Sequence, residues 1–190
     1  MRRNILWAMA ALAVSAGPAS ASTVLNVSIE DMARLSKFVV VGKVVGQQGG
    51  VHEDNGIETS VSLRVIDSFK GTARAGTTLV FHTRGGEHDG VISHAVGDAV
   101  FKTGQIYLVF IEEIDGRLYN VGLSTGIWDV RSGQPRTFVR TLQDGLVLVG
   151  DDQLENGPIP YTEMRGRVRF TATHPQFENQ VLQTTFGTRR

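Results

Sequence analysis

Phe38-Val39-Val40-Val41-Gly42-Lys43-Val44-Val45 is the stretch on which the fold turns. An amphipathic helix would break such a run with polar residues every third or fourth position, and a one-sided strand would break it at every second. Here apolar, β-branched residues fill both faces, so Lys37 to Val45 reads as a strand buried on both sides. Just upstream, Ser28 with Asp31 three residues later makes a capping-box-like start to a short helix over Ile29 to Leu35, with Asp in place of the usual Glu. That helix is expected to lie over one face of the strand.

Downstream, Gln47 to Gly56 is polar and glycine-containing and reads as a turn region. Ile57 to Asp67 then places Ile57, Thr59, Val61, Leu63 and Val65 on one side and Glu58, Ser60, Ser62 and Arg64 on the other, the alternation of a half-buried strand. Lys70-Gly71 makes a turn, Thr77 to Thr83 a third strand and Ile106 to Glu113 a fourth. Asp115-Gly116 reads as a hairpin turn into Arg117 to Val121. Shorter strands fit Ile127 to Val130, Thr137 to Val139 and Leu146 to Val149. The chain has 22 glycines in 190 residues, against an average of about 7%, and their spread suits many turns and bulges rather than a linker.

After Gly150 the character changes. Asp151-Asp152 and Asn156-Gly157-Pro158-Ile159-Pro160 read as a rigid polar loop, and Tyr161 to Phe170 as a short helix with Tyr161, Met164 and Val168 on one side and arginines on the other. Gly166 weakens that helix. Thr171 to Arg190 has little periodicity and is expected to be partly disordered. The organisation expected is a leader over 1–21, a β-barrel domain over 22–150, and a C-terminal loop, short helix and tail over 151–190.

The leader is read from Arg2 and Arg3 before an apolar run from Ile5 to Val14, closed by Ala19-Ser20-Ala21. This is the pattern of a signal peptide cleaved after Ala21. Ser15, Gly17 and Pro18 interrupt the run before it reaches the roughly 20 apolar residues of a membrane anchor. The chain contains no cysteine, so it has neither a lipobox nor disulfides, and its stability must come from an apolar core. The expected location is therefore the bacterial periplasm or the extracellular medium. The Arg2-Arg3 pair also resembles a twin-arginine signal, although the Ser or Thr usual before the pair is missing.

Without the leader the chain has 17 basic against 19 acidic residues, interspersed rather than blocked. That balance argues against nucleic acid or an anionic membrane as partner. The Arg165, Arg167, Arg169 series reads as a solvated face. About 70% of the unfolded surface of a chain this long is buried on folding, enough for one core.

The succession Phe38 to Val44, Ser68-Phe69-Lys70-Gly71 and Val96 to Phe110 (V-G-D-A-V-F-K-T-G-Q-I-Y-L-V-F) resembles the barrel of the netrin-like domain, the family that includes the tissue inhibitors of metalloproteinases. The likeness covers Phe38 to Phe110, under half of the chain. With Gly122 to Val130 added, it extends to a group of uncharacterised exported bacterial proteins of the same pattern. The resemblance implies a mainly β, OB-like, partly open barrel with a helix at one end. Such barrels bind ligands across one sheet face and its loops. The inhibitors chelate their target's zinc through an N-terminal cysteine held by disulfides. This chain has no cysteine, so the resemblance carries the fold and not that mechanism.

Three groups of residues can carry chemistry. Gly122-Leu123-Ser124-Thr125-Gly126 matches the G-x-S-x-G nucleophile elbow, with a later acid and His174 completing the order Ser, Asp, His. The strand-like Ile127-Trp128-Asp129-Val130 that follows is not the helix the elbow requires, and a glycine-bearing turn explains the same residues. The loop Thr83 to Gly97, with His82, gathers His82, His88 and His94 with Glu87 and Asp89. These could ligate zinc, although their spacing aims no single element at one point, and a solvated loop is the simpler reading. Trp128, Tyr119 and Tyr161 can anchor a partner or pack in the core. The expectation is an exported, non-enzymatic binding protein, a modulator of a secreted metalloprotease or of another exported partner. Its surface is expected at Arg84, Glu87, His88, Asp89, His94 and Trp128, with no catalytic residue, metal ligand or cofactor. A serine hydrolase using Ser124 and a metal-binding periplasmic protein are the alternatives.

Overall fold

In the computed structural model the described residues are 22–25, 27–54, 56–94, 97–133, 136–140, 142, 146–149 and 157–174. The predicted leader, residues 151–156 of the predicted polar loop and the tail from 175 lie outside them; the end of that loop is a short strand at Ile159–Pro160, and the helix expected to stop at Phe170 runs on to Thr173. Phe38–His52 (β2) is a strand whose apolar start is buried on both faces, as its composition requires. Val39 and Val41 point to one cluster of apolar side chains, Val40 and Val44 to another. The glycine between them is obligatory, because a Cβ at Gly42 would lie 2.6 Å from Leu63 Cγ on the neighbouring strand.

That neighbour is Gly56–Lys70 (β3), antiparallel to β2 along its whole length. Thr78–Arg84 (β4) follows on β3, and Ile106–Ile114 (β7) flanks β2 on its other side. Between β4 and β7 a small hairpin, Gly86–His88 (β5) and Val91–Ser93 (β6), stands apart from the main sheet. Arg117–Asn120 (β8) folds back on β7 and meets β4 in parallel at a single position, His82 opposite Tyr119. The ring β2-β3-β4-β8-β7 thus closes into a five-stranded, partly open barrel, the OB-like architecture expected from the sequence. Its interior holds Val40, Val44, Val61, Leu63, Val65, Phe81, Phe101, Tyr107, Val109 and Ile111.

From β7 the sheet continues outside the ring as Ile127–Arg131 (β9), Thr137–Arg140 (β10) and Ile159–Pro160 (β12). Ser22–Leu25 (β1) and Leu146–Val149 (β11) pair in parallel away from it. Two helices cover this side, Ile29–Leu35 (α1) and Tyr161–Thr173 (α2). The Ser28 hydroxyl accepts from the Asp31 amide at 3.0 Å, the predicted cap, and Lys70 Nζ donates to the Ala33 carbonyl at 2.7 Å where the helix ends. Arg167 clasps Glu30 through two bonds of 2.7 and 2.9 Å and ties α2 to α1.

Two expectations need correction. Gln47 to Gly56 is not a turn throughout: β2 runs on to His52 and β3 begins at Gly56, so Gln47 to His52 is ladder, and among the described residues the turn is confined to Glu53 and Asp54. Polar, glycine-rich composition hid the strand, because this end of the hairpin extends beyond the packed core and has no apolar face to show. Trp128 is not surface but fully buried between the sheet and the helices, with the Arg140 guanidinium 4.5 Å from its ring centre.

Candidate functional site

Alternation on β8 turns Leu118 into the barrel and therefore turns Arg117 and Tyr119 outward. The same rule sends Phe81 in and His82 and Arg84 out on β4, and Val61 in and Ser60 and Glu58 out on β3. Register then aligns Ser60, His82, Tyr119 and Glu112 in one row across β3, β4, β8 and β7. Glu58 and Arg84 form the next row. The end of β2 brings His52 alongside, the turn after it brings Asp54, and the β7–β8 turn contributes Asp115. These side chains, Ser60 and Glu58 excepted, border a groove of about 550 Å3 with Ile114, Asn120 and Leu123.

Beneath the groove lies Glu58, which is 3% exposed. A buried carboxylate needs partners, and Glu58 has them: Arg117 Nη2 donates to it at 2.7 Å and the Tyr119 hydroxyl at 3.1 Å. The same Arg117 nitrogen is 3.3 Å from His82 Nδ1, which is also 3.2 Å from the Ser60 hydroxyl. Burial, and then the Arg117 charge, hold His82 below the ordinary imidazole range against a weaker opposing pull from Glu58. Glu112 is pushed up from the usual carboxylate range by burial alone, with no ion-pair partner among the described residues. Arg84, Asp54 and Asp115 likewise form no ion pair there. The groove therefore combines a neutralised base with charges of both signs left open to a ligand.

Of the predicted surface residues, Arg84 alone lines the groove. The predicted loop is the β5–β6 hairpin, with Glu87 exposed on β5, and His88 Nε2 lies 3.4 Å from Asp89 Oδ2 at its tip. His94 and Arg84 both line a second cavity of about 150 Å3, with Ser93 and Asp98. His82 is engaged in the groove instead, and among the described residues no three His, Asp or Glu side chains converge to hold a metal ion. Tyr161 packs between Phe69 and Phe138 and donates to Asp67 at 2.7 Å. Tyr119 is the one member of the aromatic set that reaches the groove.

Ser124 lies in a short 3-10 turn, Leu123–Gly126, that fills the corner between β8 and β9. A Cβ at Gly126 would fall 1.8 Å from the Val121 carbonyl oxygen, which accounts for the second glycine of the motif by packing. Ser124 is buried and its hydroxyl meets no base. His174 stacks instead on Phe170 at the end of α2.

Sequence reasoning missed Glu58, His52, Glu112 and Arg117. Glu58 gave one signal: it is the acid on the polar side of β3, where serine, serine and arginine follow it. No family model matches the chain, and no curated protein matches it.

Proposed function

We propose that this chain is an exported, non-enzymatic binding protein that uses the β3-β4-β8-β7 groove to hold a partner protein. The observation that carries the reading is the groove itself. It is about 550 Å3 in volume, is floored by the Glu58–Arg117 pair, and is bordered by Glu112, Arg84, Asp54 and Asp115 with no ion-pair partner among the described residues. Glu112 is the half-buried member of this set, and a carboxylate held there without such a partner is relieved when a complementary surface supplies the missing group, while the exposed Arg84, Asp54 and Asp115 offer charges of both signs for steering and register. Export rests on the Arg2 to Ala21 leader pattern. A secreted metalloprotease is the first partner class to test, on the netrin-like resemblance.

The test is capture from the host's exported proteins with the mature chain as bait, read by mass spectrometry. One enriched protein is expected, lost with the paired change Arg84→Glu and Glu112→Arg and retained with Arg169→Glu on the far face of α2. Capture unaffected by the groove variant, or no enriched protein, would overturn the reading.

A further inference from the structure

We propose that acidification opens the groove, resting on the reading just given, because a proton on His82 breaks the seam between β4 and β8. An arginine side chain has donors only, so the 3.3 Å contact from Arg117 Nη2 requires His82 Nδ1 to accept. The imidazole in the closed seam is therefore neutral, with its hydrogen on Nε2. Protonation at Nδ1 would set an N–H and a positive charge against a guanidinium. It would also reverse the 3.2 Å contact with Ser60, whose hydroxyl would have to turn and accept from the new N–H.

The alternative for an imidazolium is to turn toward Glu58 Oε2, 3.9 Å away. That oxygen already accepts from Arg117 at 2.7 Å, and Tyr119 holds the other. An imidazolium that turns to Glu58 competes with Arg117 for that oxygen and so weakens one tie from β8 to β3, Tyr119 supplying another. The other charged and titratable groups facing the cluster are His52 from β2, Arg84 from β4, Glu112 from β7, and Asp54 and Asp115 from the turns. Of these, His52 adds to the repulsion felt by a charged His82. Either course loosens the same place. β4 and β8 are paired only at His82 and Tyr119, whereas β3 pairs with β4 from Glu58 to Arg64. Because His82 and Arg84 form one wall and Glu112, Arg117 and Tyr119 the other, the seam sets the width of the groove.

The sign follows from the depressed titration of His82. The closed seam is fully favoured above the ordinary imidazole value of 6.5 and is lost as pH falls through the lower folded value. Hydrogen exchange on the purified chain tests this. Between about pH 8 and about pH 5, protection factors for the Arg117 to Asn120 amides should fall roughly tenfold relative to those of the β2–β3 ladder. His82→Gln, whose amide oxygen can accept from Arg117 and does not titrate, should abolish the fall, and His52→Gln should keep it. An unchanged wild-type protection factor, or an equal fall in His82→Gln, overturns the proposal. So does an imidazole 15N spectrum of the unaltered chain showing His82 with its hydrogen on Nδ1 at neutral pH. The exchange measurement needs no ligand. A responsive seam with no partner captured therefore counts against the binding reading alone, and a partner held equally at both pH values counts against the switch alone.

Discussion

Over β2, β7 and β9 the outside of the barrel is closed by α1 and α2, which bury Val39, Val41, Leu108, Phe110 and Trp128. Over β3, β4 and β8 the same outer surface carries Glu58, Ser60, His82 and Tyr119 and is left open as a groove. Both faces belong to the one eight-stranded sheet whose β2-β3-β4-β8-β7 part closes around the interior. A strand that must be apolar on both sides is locked in place by packing. A strand that is apolar on the inside alone is free to carry polar chemistry outside, and its outer contacts are hydrogen bonds and ion pairs with modest net energies. The covered face should therefore control stability and the open face should control binding and pH response.

The largest expected effect is on the covered face. Trp128→Ala removes a fully buried ring and should cost about 3–5 kcal/mol of unfolding free energy in denaturant titration. Arg84→Ala on the open face should change it by less than about 0.5 kcal/mol. Comparable losses from the two would erase the distinction.

Next is Glu58, where the open face has its own buried member. Glu58→Ala removes the carboxylate that accepts from Arg117 and from the Tyr119 hydroxyl, and we expect a loss of about 2 kcal/mol, moderated because the Arg117 side chain is 36% exposed to water and keeps its contact with His82. Removing Arg117 as well should restore part of that loss in a double-mutant cycle. A double variant that sums the two single losses would mean that the pair is not coupled.

The two faces also differ in how far they could be read in advance. The continuous run at Phe38 to Val45 announced a doubly buried strand, and the Ser28 cap placed α1 at Ile29 to Leu35, because burial and capping are written in local residue order. The groove is made by register. Ser60, His82, Tyr119 and Glu112 are separated by long stretches of chain and become neighbours only when β3, β4, β8 and β7 pair. No local pattern encodes that row. The histidine loop was the more conspicuous feature because its residues are close in sequence, yet its hairpin leaves His88 and His94 away from His82. Trp128 was misjudged for the opposite reason: one aromatic in a short strand does not say which face the helices will cover.

A smaller effect tests how the cover is fastened. Burial opposes ionisation of Glu30, but the bidentate bond and charge of Arg167 outweigh it and hold the carboxyl below its ordinary value of 4.5. The clasp is therefore fully present above that pH and is lost as pH falls through the lower folded value. Arg167→Ala should cost about 1 kcal/mol or less at neutral pH, since both partners keep some exposure to water. The difference from wild type should shrink in acid. A difference constant from neutral pH to acid would mean that the arginine acts by packing its stem rather than by its charge.

The smallest change expected is Ser124→Ala, and it bears on function as well as on stability. Its hydroxyl is buried without a partner, so removing the oxygen deletes an unsatisfied group while the 3-10 turn keeps its backbone bonds. Stability should stay within about 0.5 kcal/mol of wild type or rise slightly. Capture of the partner should be unchanged, because the groove is bordered by Gly122 and Leu123 and not by the serine itself. Turnover of an ester or peptide substrate by the wild-type chain, abolished in Ser124→Ala, would require the turn to open and present the serine. That result would move the chemistry from the row on β3, β4, β8 and β7 to the corner behind it, and the open face would then serve only as the approach to a site on the covered side.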